Sequence, residues 1–264
     1  MKPFKPLFMA LMLNLCLATS AFAVGPWSIF GDAGPVKEGL KPNPWCIELS
    51  STCPEDSQDC LENNAFTYGG VNFKAPNKKL TFRAIHELST SYKIKEGDCG
   101  GGSPRFAIGI DTDGDGKVNG HVFAYVGPVQ ECDCADGDGN DFGVDGHVFA
   151  SVGPTPPIFA GCPAGVWERT GNLIHSTDAR FEITELVPEL PIPYMTYNEA
   201  LCTLGDLADK PVLYVMLITD GGWLANQVIL VDNVKVNNFK MTAKGYGKKR
   251  ARGTGATPTS DPDR

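Results

Sequence analysis

Asp111, Asp113 and Asp115 stand at alternate positions and are closed by Gly116. Those types and that spacing suit one kind of chemistry, the capture of a cation. A hard divalent ion such as Ca2+ takes about six to eight oxygens in a small shell. Alternation around a tight turn points successive carboxylates inward, and Gly116 permits the positive φ that such a turn requires. Left without an ion the arrangement is unfavourable, because like charges about 4 Å apart repel by about 1 kcal/mol in water and about 4 kcal/mol near a protein surface. The spacing therefore predicts Asp111, Asp113 and Asp115 as calcium ligands. The carbonyl of Lys117 would be a fourth, and Asn119 a further ligand directly or through water. The alternative is an acidic solvated turn that binds nothing.

A second acidic run, Asp133-Cys-Ala-Asp136-Gly-Asp138-Gly-Asn140-Asp141, keeps the alternation at Asp136, Asp138 and Asn140. It has Asp141 where the first run has glycine, which makes it the weaker site. Each run leads into a copy of one segment, Gly120-His-Val-Phe-Ala-Tyr-Val-Gly-Pro128 and Gly146-His-Val-Phe-Ala-Ser-Val-Gly-Pro154. The copies differ only at Tyr125 against Ser151, so the segment is duplicated in tandem. Up to Gly116 the first loop resembles the start of an EF-hand loop, and equally the loops of dockerins and thrombospondin type 3 repeats, over about a dozen residues. The likeness ends at Val122, where an EF-hand places its bidentate glutamate. Nor are the flanks helical: Pro104–Ile110 and His121–Val126 are β-branched and aromatic and read as strands. The expectation is a calcium loop set between two strands, with a dissociation constant of about 10⁻⁴ to 10⁻³ M.

Other chemistry is thinly represented. His86-Glu87 lacks the second histidine of a zinc-protease helix, and no Gly-x-Ser-x-Gly elbow is present. Gly100-Gly-Gly102 is followed by no Lys-Ser/Thr pair, which argues against a phosphate loop. His121 and His147 occupy equal places in the duplicated segment and read as structural, His121 also as a donor to the acidic loop. Glu168, Asp178, Glu182 and Glu185 are candidate carboxylates for glycoside hydrolysis, but as strand residues Glu182 and Glu185 would face opposite ways. For a glycan the residues to watch are Trp223, Tyr194, Tyr197 and Trp167, since a flat exposed ring stacks on the C–H face of a sugar. Trp223, in a turn after two glycines, is the foremost of them. The competing role for all four is to plug the core or the ends of the fold.

The elements that must position these residues begin with an export signal over residues 1–23. Lys2 and Lys5 form its positive start, Leu7–Ala18 its apolar centre, and Ala21-Phe22-Ala23 its cleavage pattern. The apolar run is too short to span a bilayer. Removing the two lysines leaves 21 basic against 31 acidic residues, a charge of −10. That acidity disfavours nucleic acid and anionic membranes as partners. Of nine cysteines, Cys16 falls in the signal, leaving Cys46, Cys53, Cys60, Cys99, Cys132, Cys134, Cys162 and Cys202. An even set in an exported chain reads as disulfides of undetermined pairing. Zinc is the rival, but Cys132-Asp-Cys134 has no second knuckle to complete a site.

Residues 24–64 read as a Cys-rich N-terminal segment, 65–240 as the body, and 241–264 as a basic, disordered tail. Within the body, Phe66–Phe73, Leu80–Leu88, Tyr92–Ile94, Phe106–Ile110, Val166–Arg169, Ala179–Thr184, Val212–Ile218 and Gln227–Val236 read as strands. Tyr197–Leu204 is the one helix. About nine or ten short strands, with 30 glycines and 20 prolines, predict an all-β fold, an antiparallel two-sheet sandwich of jelly-roll type stapled by disulfides. The closing Val228-Ile-Leu-Val-Asp-Asn-Val-Lys-Val236, after a Gly-Gly-Trp turn, resembles the last strand of jelly-roll carbohydrate-binding modules of secreted enzymes. That resemblance implies a β-sandwich, often with structural calcium, and glycan binding by exposed aromatics. The partner expected for the whole chain is a carbohydrate or a cell-surface component. Rival readings are a structural or adhesive surface protein that binds no sugar, and a hydrolase.

Overall fold

The computed structural model describes residues 23–24, 26–53, 66–75, 79–99, 103–127, 129–130, 158–159, 161–178, 180–190, 194–219 and 226–243. Its strands in chain order are β1 (Ala23–Val24), β2 (Trp27–Gly31), β3 (Ala33–Val36), β4 (Cys46–Ser51), β5 (Gly69–Phe73), β6 (Leu88–Glu96), β7 (Arg105–Ile110) and β8 (Gly120–Tyr125). There follow β9 (Val129–Gln130), β10 (Ile158–Phe159), β11 (Glu168–Arg169), β12 (Phe181–Glu182), β13 (Tyr194–Met195), β14 (Val212–Thr219), β15 (Gln227–Val236) and β16 (Phe239–Lys240). A larger sheet runs β1-β2-β5-β14-β7-β8-β12-β13 and a smaller one β11-β6-β15-β4-β3, with β16 on β15 and β9 paired to β10 apart. All strand pairs are antiparallel. The all-β two-sheet sandwich expected from the alternation is the fold observed.

Alternation also explains the core. Phe106, Ile108 and Ile110 of β7 share one buried cluster with Val122 and Ala124 of β8, Val215 and Leu217 of β14, and Ile229, Val231 and Val234 of β15. On β7, β8 and β14 every second side chain therefore points between the sheets, the pleat's period of two. On β15 a register shift between Asp232 and Lys235 sets Val234 three positions after Val231. The helix α1 (Tyr197–Leu204) is closed at its start by a capping box in which the Glu199 carboxylate accepts from Thr196 N–H at 2.8 Å. It buries Tyr197, Ala200 and Leu204, one helical face, against the same core.

Several expectations need correction. Leu80–Leu88 is not one strand: Phe82–Ala84 forms a 3-10 turn capped by Thr81, and the strand begins only at Leu88. Phe82, Ile85 and Leu88 are all buried, so the apolar spacing there is three, that of a 3-10 turn, and not two. Two expected strands shrink to two residues each, Glu168–Arg169 and Phe181–Glu182. The stretch 27–51 supplies β2 to the larger sheet and β3 and β4 to the smaller, so it belongs to the sandwich itself. Likewise Met241 and Ala243 are buried, with Met241 N–H donating to Val234 O at 2.8 Å, so the sandwich continues past residue 240. Residues 1–22 of the export signal expected over 1–23, the second acidic run with its repeat, and residues 244–264 lie outside the described residues.

The cysteines divide. Cys99 and Cys162 form a disulfide, and Cys53 is disulfide-bonded too. Cys46 and Cys202 are free, so these two of the eight disulfide candidates are in no bridge. Strand pairing sets Val36 opposite Cys46, and burial pushes its thiol up to about 12; Cys202 is exposed on α1. Cys60, Cys132 and Cys134 lie outside the described residues.

Candidate functional site

The acidic loop closes the β7–β8 hairpin, whose last pair is Ile110 and Gly120. The flanking strands are those the sequence predicts. Asp111 is buried at the base of the loop and Asp113 and Asp115 are exposed at its tip. Gly114 N–H donates to Asp111 Oδ1 at 2.7 Å and Gly116 N–H to Asp111 Oδ2 at 2.9 Å, so this carboxylate holds the turn together. Asp115 N–H donates to Asp113 Oδ1 at 3.1 Å, and Lys117 N–H to Asp115 Oδ1 at 2.8 Å. Gly114 and Gly116 lie at φ +83° and +84°, the left-handed region that glycine enters without strain. One carboxylate oxygen from each of the three aspartates lies within 4.8 Å of the others. Asn119 braces the loop: its Oδ1 accepts from Thr112 N–H at 2.6 Å and its Nδ2 faces Asp113 Oδ2 at 3.4 Å. A second grouping, Asp98 with Cys99 and Cys162, offers no metal site because both sulfurs are in the disulfide.

Beside the loop, a row of side chains crosses the solvent side of the larger sheet. Gly109 is paired with Tyr214 on one side and His121 on the other. With no side chain between them the two rings meet over the glycine, and His121 Nε2 lies 2.8 Å from Tyr214 Oη. A Cβ on Gly109 would sit 2.8 Å from the Tyr214 ring and 2.8 Å from Val118. On its other side His121 Nδ1 lies 2.8 Å from Glu185 Oε2, which also accepts the His121 N–H at 3.0 Å. Phe123 stacks on the imidazole at 5.6 Å and carries the Arg105 guanidinium over its ring at 4.7 Å. Further along β8 the Tyr125 hydroxyl donates to Glu182, which also accepts from Thr184 Oγ1 at 2.6 Å. Burial first, then the Glu182 charge, raises the Tyr125 phenol well above its ordinary range, and the same two causes raise Tyr194.

This arrangement corrects the placing of Glu182 and Glu185 on opposite faces. The chain leaves β12 after Glu182 and turns, with Leu186 N–H and Val187 N–H both donating to Ile183 O at 2.9 Å. The turn brings Glu185 back to the solvent side that Glu182 already faces. His121 meets Glu185 and Tyr214, and not the loop carboxylates.

The aromatic candidates separate. Tyr197 is a core residue: it is buried and its hydroxyl donates to Phe82 O at 2.7 Å and Ile85 O at 2.9 Å, so it stacks on no ligand. Tyr194 is half-buried on the solvent side of β13, edge-on to Tyr125 at 5.4 Å. Trp167 is half-buried beside Val166, which is 50% exposed. Trp223, Asp136, Asp138 and Asn140 lie outside the described residues. Tyr214 was missed by sequence reasoning. The signal for it was a glycine in the middle of β7, which marks close approach by a neighbouring group.

The fold and loop thus define a two-sheet β-sandwich with an acidic hairpin tip. Comparison of the chain with protein-family models, curated proteins and solved structures found no match. Among the described residues no helix is long and apolar enough to cross a membrane.

Proposed function

We propose that the chain is an exported calcium-binding β-sandwich that recognises a carbohydrate or cell-surface component. The observation that supports it is the convergence of Asp111, Asp113 and Asp115 at the end of one hairpin, their oxygens within 4.8 Å of one another. Asp113, Asp115 and the Lys117 carbonyl would meet the ion, with Asp111 shared between the ion and the turn. Val122 stands at the loop position where an EF-hand places its bidentate glutamate, which supports weak binding of the kind that serves millimolar extracellular calcium. Tyr194, Trp167 and Trp223 remain as the rings for a sugar face.

Thermal melting with 1 mM calcium against chelator tests the ion. Stabilisation follows RT ln(1 + [L]/Kd), about 0.4 to 1.4 kcal/mol for the expected affinity. No change in midpoint, together with no heat on calcium titration, overturns the site. A glycan array with Trp223→Ala and Trp167→Ala as controls tests the partner. Calcium binding without any sugar binding leaves the protein as a calcium-stiffened structural or adhesive domain.

A further inference from the structure

Tyr214, His121 and Glu185 form a hydrogen-bonded line in which each member comes from a different element. Tyr214 is on β14, His121 on β8, and Glu185 in the turn after β12. A nucleophile within hydrogen-bond reach of a base, with that base oriented by a third group, is the geometry by which weak hydroxyl nucleophiles are activated. We propose that Tyr214 is a nucleophilic phenol activated by His121, with Glu185 as positioning residue, and that it accepts acyl groups from activated esters. This goes beyond the binding reading and is independent of it.

The roles follow from donor and acceptor chemistry. The Glu185 carboxylate only accepts, so it holds the imidazole proton on Nδ1. Nε2 then presents its lone pair to the Tyr214 hydroxyl 2.8 Å away. The second bond from His121 N–H to the same carboxylate oxygen fixes Glu185 against the strand, and the stacked Phe123 holds the plane of the ring. A sheet that needed only surface packing at this point would be served by any side chain on β7. Gly109 instead leaves the gap across which phenol and imidazole meet. The side chains of His121 and Glu185 are 21% and 12% exposed and Tyr214 is half-buried, so solvent reaches the row.

In the reaction Tyr214 Oη attacks the ester carbonyl carbon while its proton passes to His121 Nε2. The bond from that carbon to the leaving alkoxide breaks, and the alkoxide takes the proton from Nε2. The acyl group stays on Tyr214 as an aryl ester until a water, deprotonated by the same imidazole, hydrolyses it and restores the phenol.

The test treats the intact protein with p-nitrophenyl acetate, with N-acetyltyrosine amide as the unactivated phenol. Nitrophenolate release and mass mapping of acetylated peptides are followed together. Tyr214 should be acetylated about 10²-fold faster than the reference, the lower range for a positioned general base. Tyr214→Phe should lose the label, and His121→Gln and Gly109→Ala should fall towards the reference rate. Acetylation of Tyr214 at the reference rate overturns the proposal. So does a His121→Gln variant that keeps its circular dichroism spectrum and the fast rate. The comparison with the reference phenol uses the wild-type protein alone, and so decides the matter even if a variant does not fold.

Discussion

Replacing both Cys99 and Cys162 by alanine removes a bridge that closes a loop of 63 residues. In the chain-entropy account a loop of that length withdraws about 14 cal/mol/K from the unfolded ensemble, which is about 4 kcal/mol at 25 °C. The native contribution of the pair should survive the change. Asp98 Oδ1 accepts from Cys99 N–H at 2.6 Å and Cys162 N–H at 3.0 Å, and Asp98 Oδ2 from Gly161 N–H at 3.1 Å. These bonds hold the two segments together without sulfur. Both cysteines are buried, so alanine is preferred to serine, which would bury a hydroxyl. With a urea slope of about 2–3 kcal/mol/M, the midpoint should fall by about 1.4–2 M. Urea melts of wild type and the double variant, read by tryptophan fluorescence, measure this. A fall below about 0.5 M at unchanged slope refutes the loop-entropy reasoning.

Further tests use single side chains. Tyr197→Phe leaves the carbonyls of Phe82 and Ile85 without their shared buried donor and should cost about 1–3 kcal/mol in a urea melt, whereas an unchanged midpoint shows they are satisfied otherwise. Thr196→Ala breaks the capping box of α1 and should cost about 1 kcal/mol, with no loss expected if the helix is held by packing alone. Burial raises the Asp232 carboxyl above the ordinary aspartate range, so the folded chain binds this proton more tightly than the unfolded one. Stability is then lost as pH rises through the raised value and regained as it falls. Asp232→Asn keeps an acceptor for Asn233 N–H and should be at least as stable as wild type at about pH 7, the difference closing towards about pH 4. A variant less stable at neutral pH contradicts this.

Local pattern carried much of the architecture. Phe106, Ile108 and Ile110 alternate as a strand must if one face is to leave water, and they line the core. The Asp111–Gly116 spacing placed a tight acidic turn between two strands because ligand alternation and glycine conformation are properties of a few consecutive residues. The run Tyr197–Leu204 is likewise helical as its sequence suggests, and the structure adds the Thr196–Glu199 capping box at its start. The misreadings also have local causes. Phe82, Ile85 and Leu88 stand in an apolar run that reads as a strand although their own interval is three, and Met241 and Ala243 stand among polar and basic residues that read as a tail.

What the chain order by itself determined is thus the alternating strands β5, β7, β8, β14 and β15, the helix α1 and the acidic hairpin tip, each set by interactions among near neighbours. Only the tertiary structure decided which cysteines pair, that Tyr197 is a buried hydrogen-bond donor, and that Tyr214, His121 and Glu185 stand in one row. Those outcomes depend on strand register. Tyr214 and His121 are 93 positions apart in the chain. They become neighbours because both pair with Gly109, and nothing in either residue's local sequence encodes that pairing.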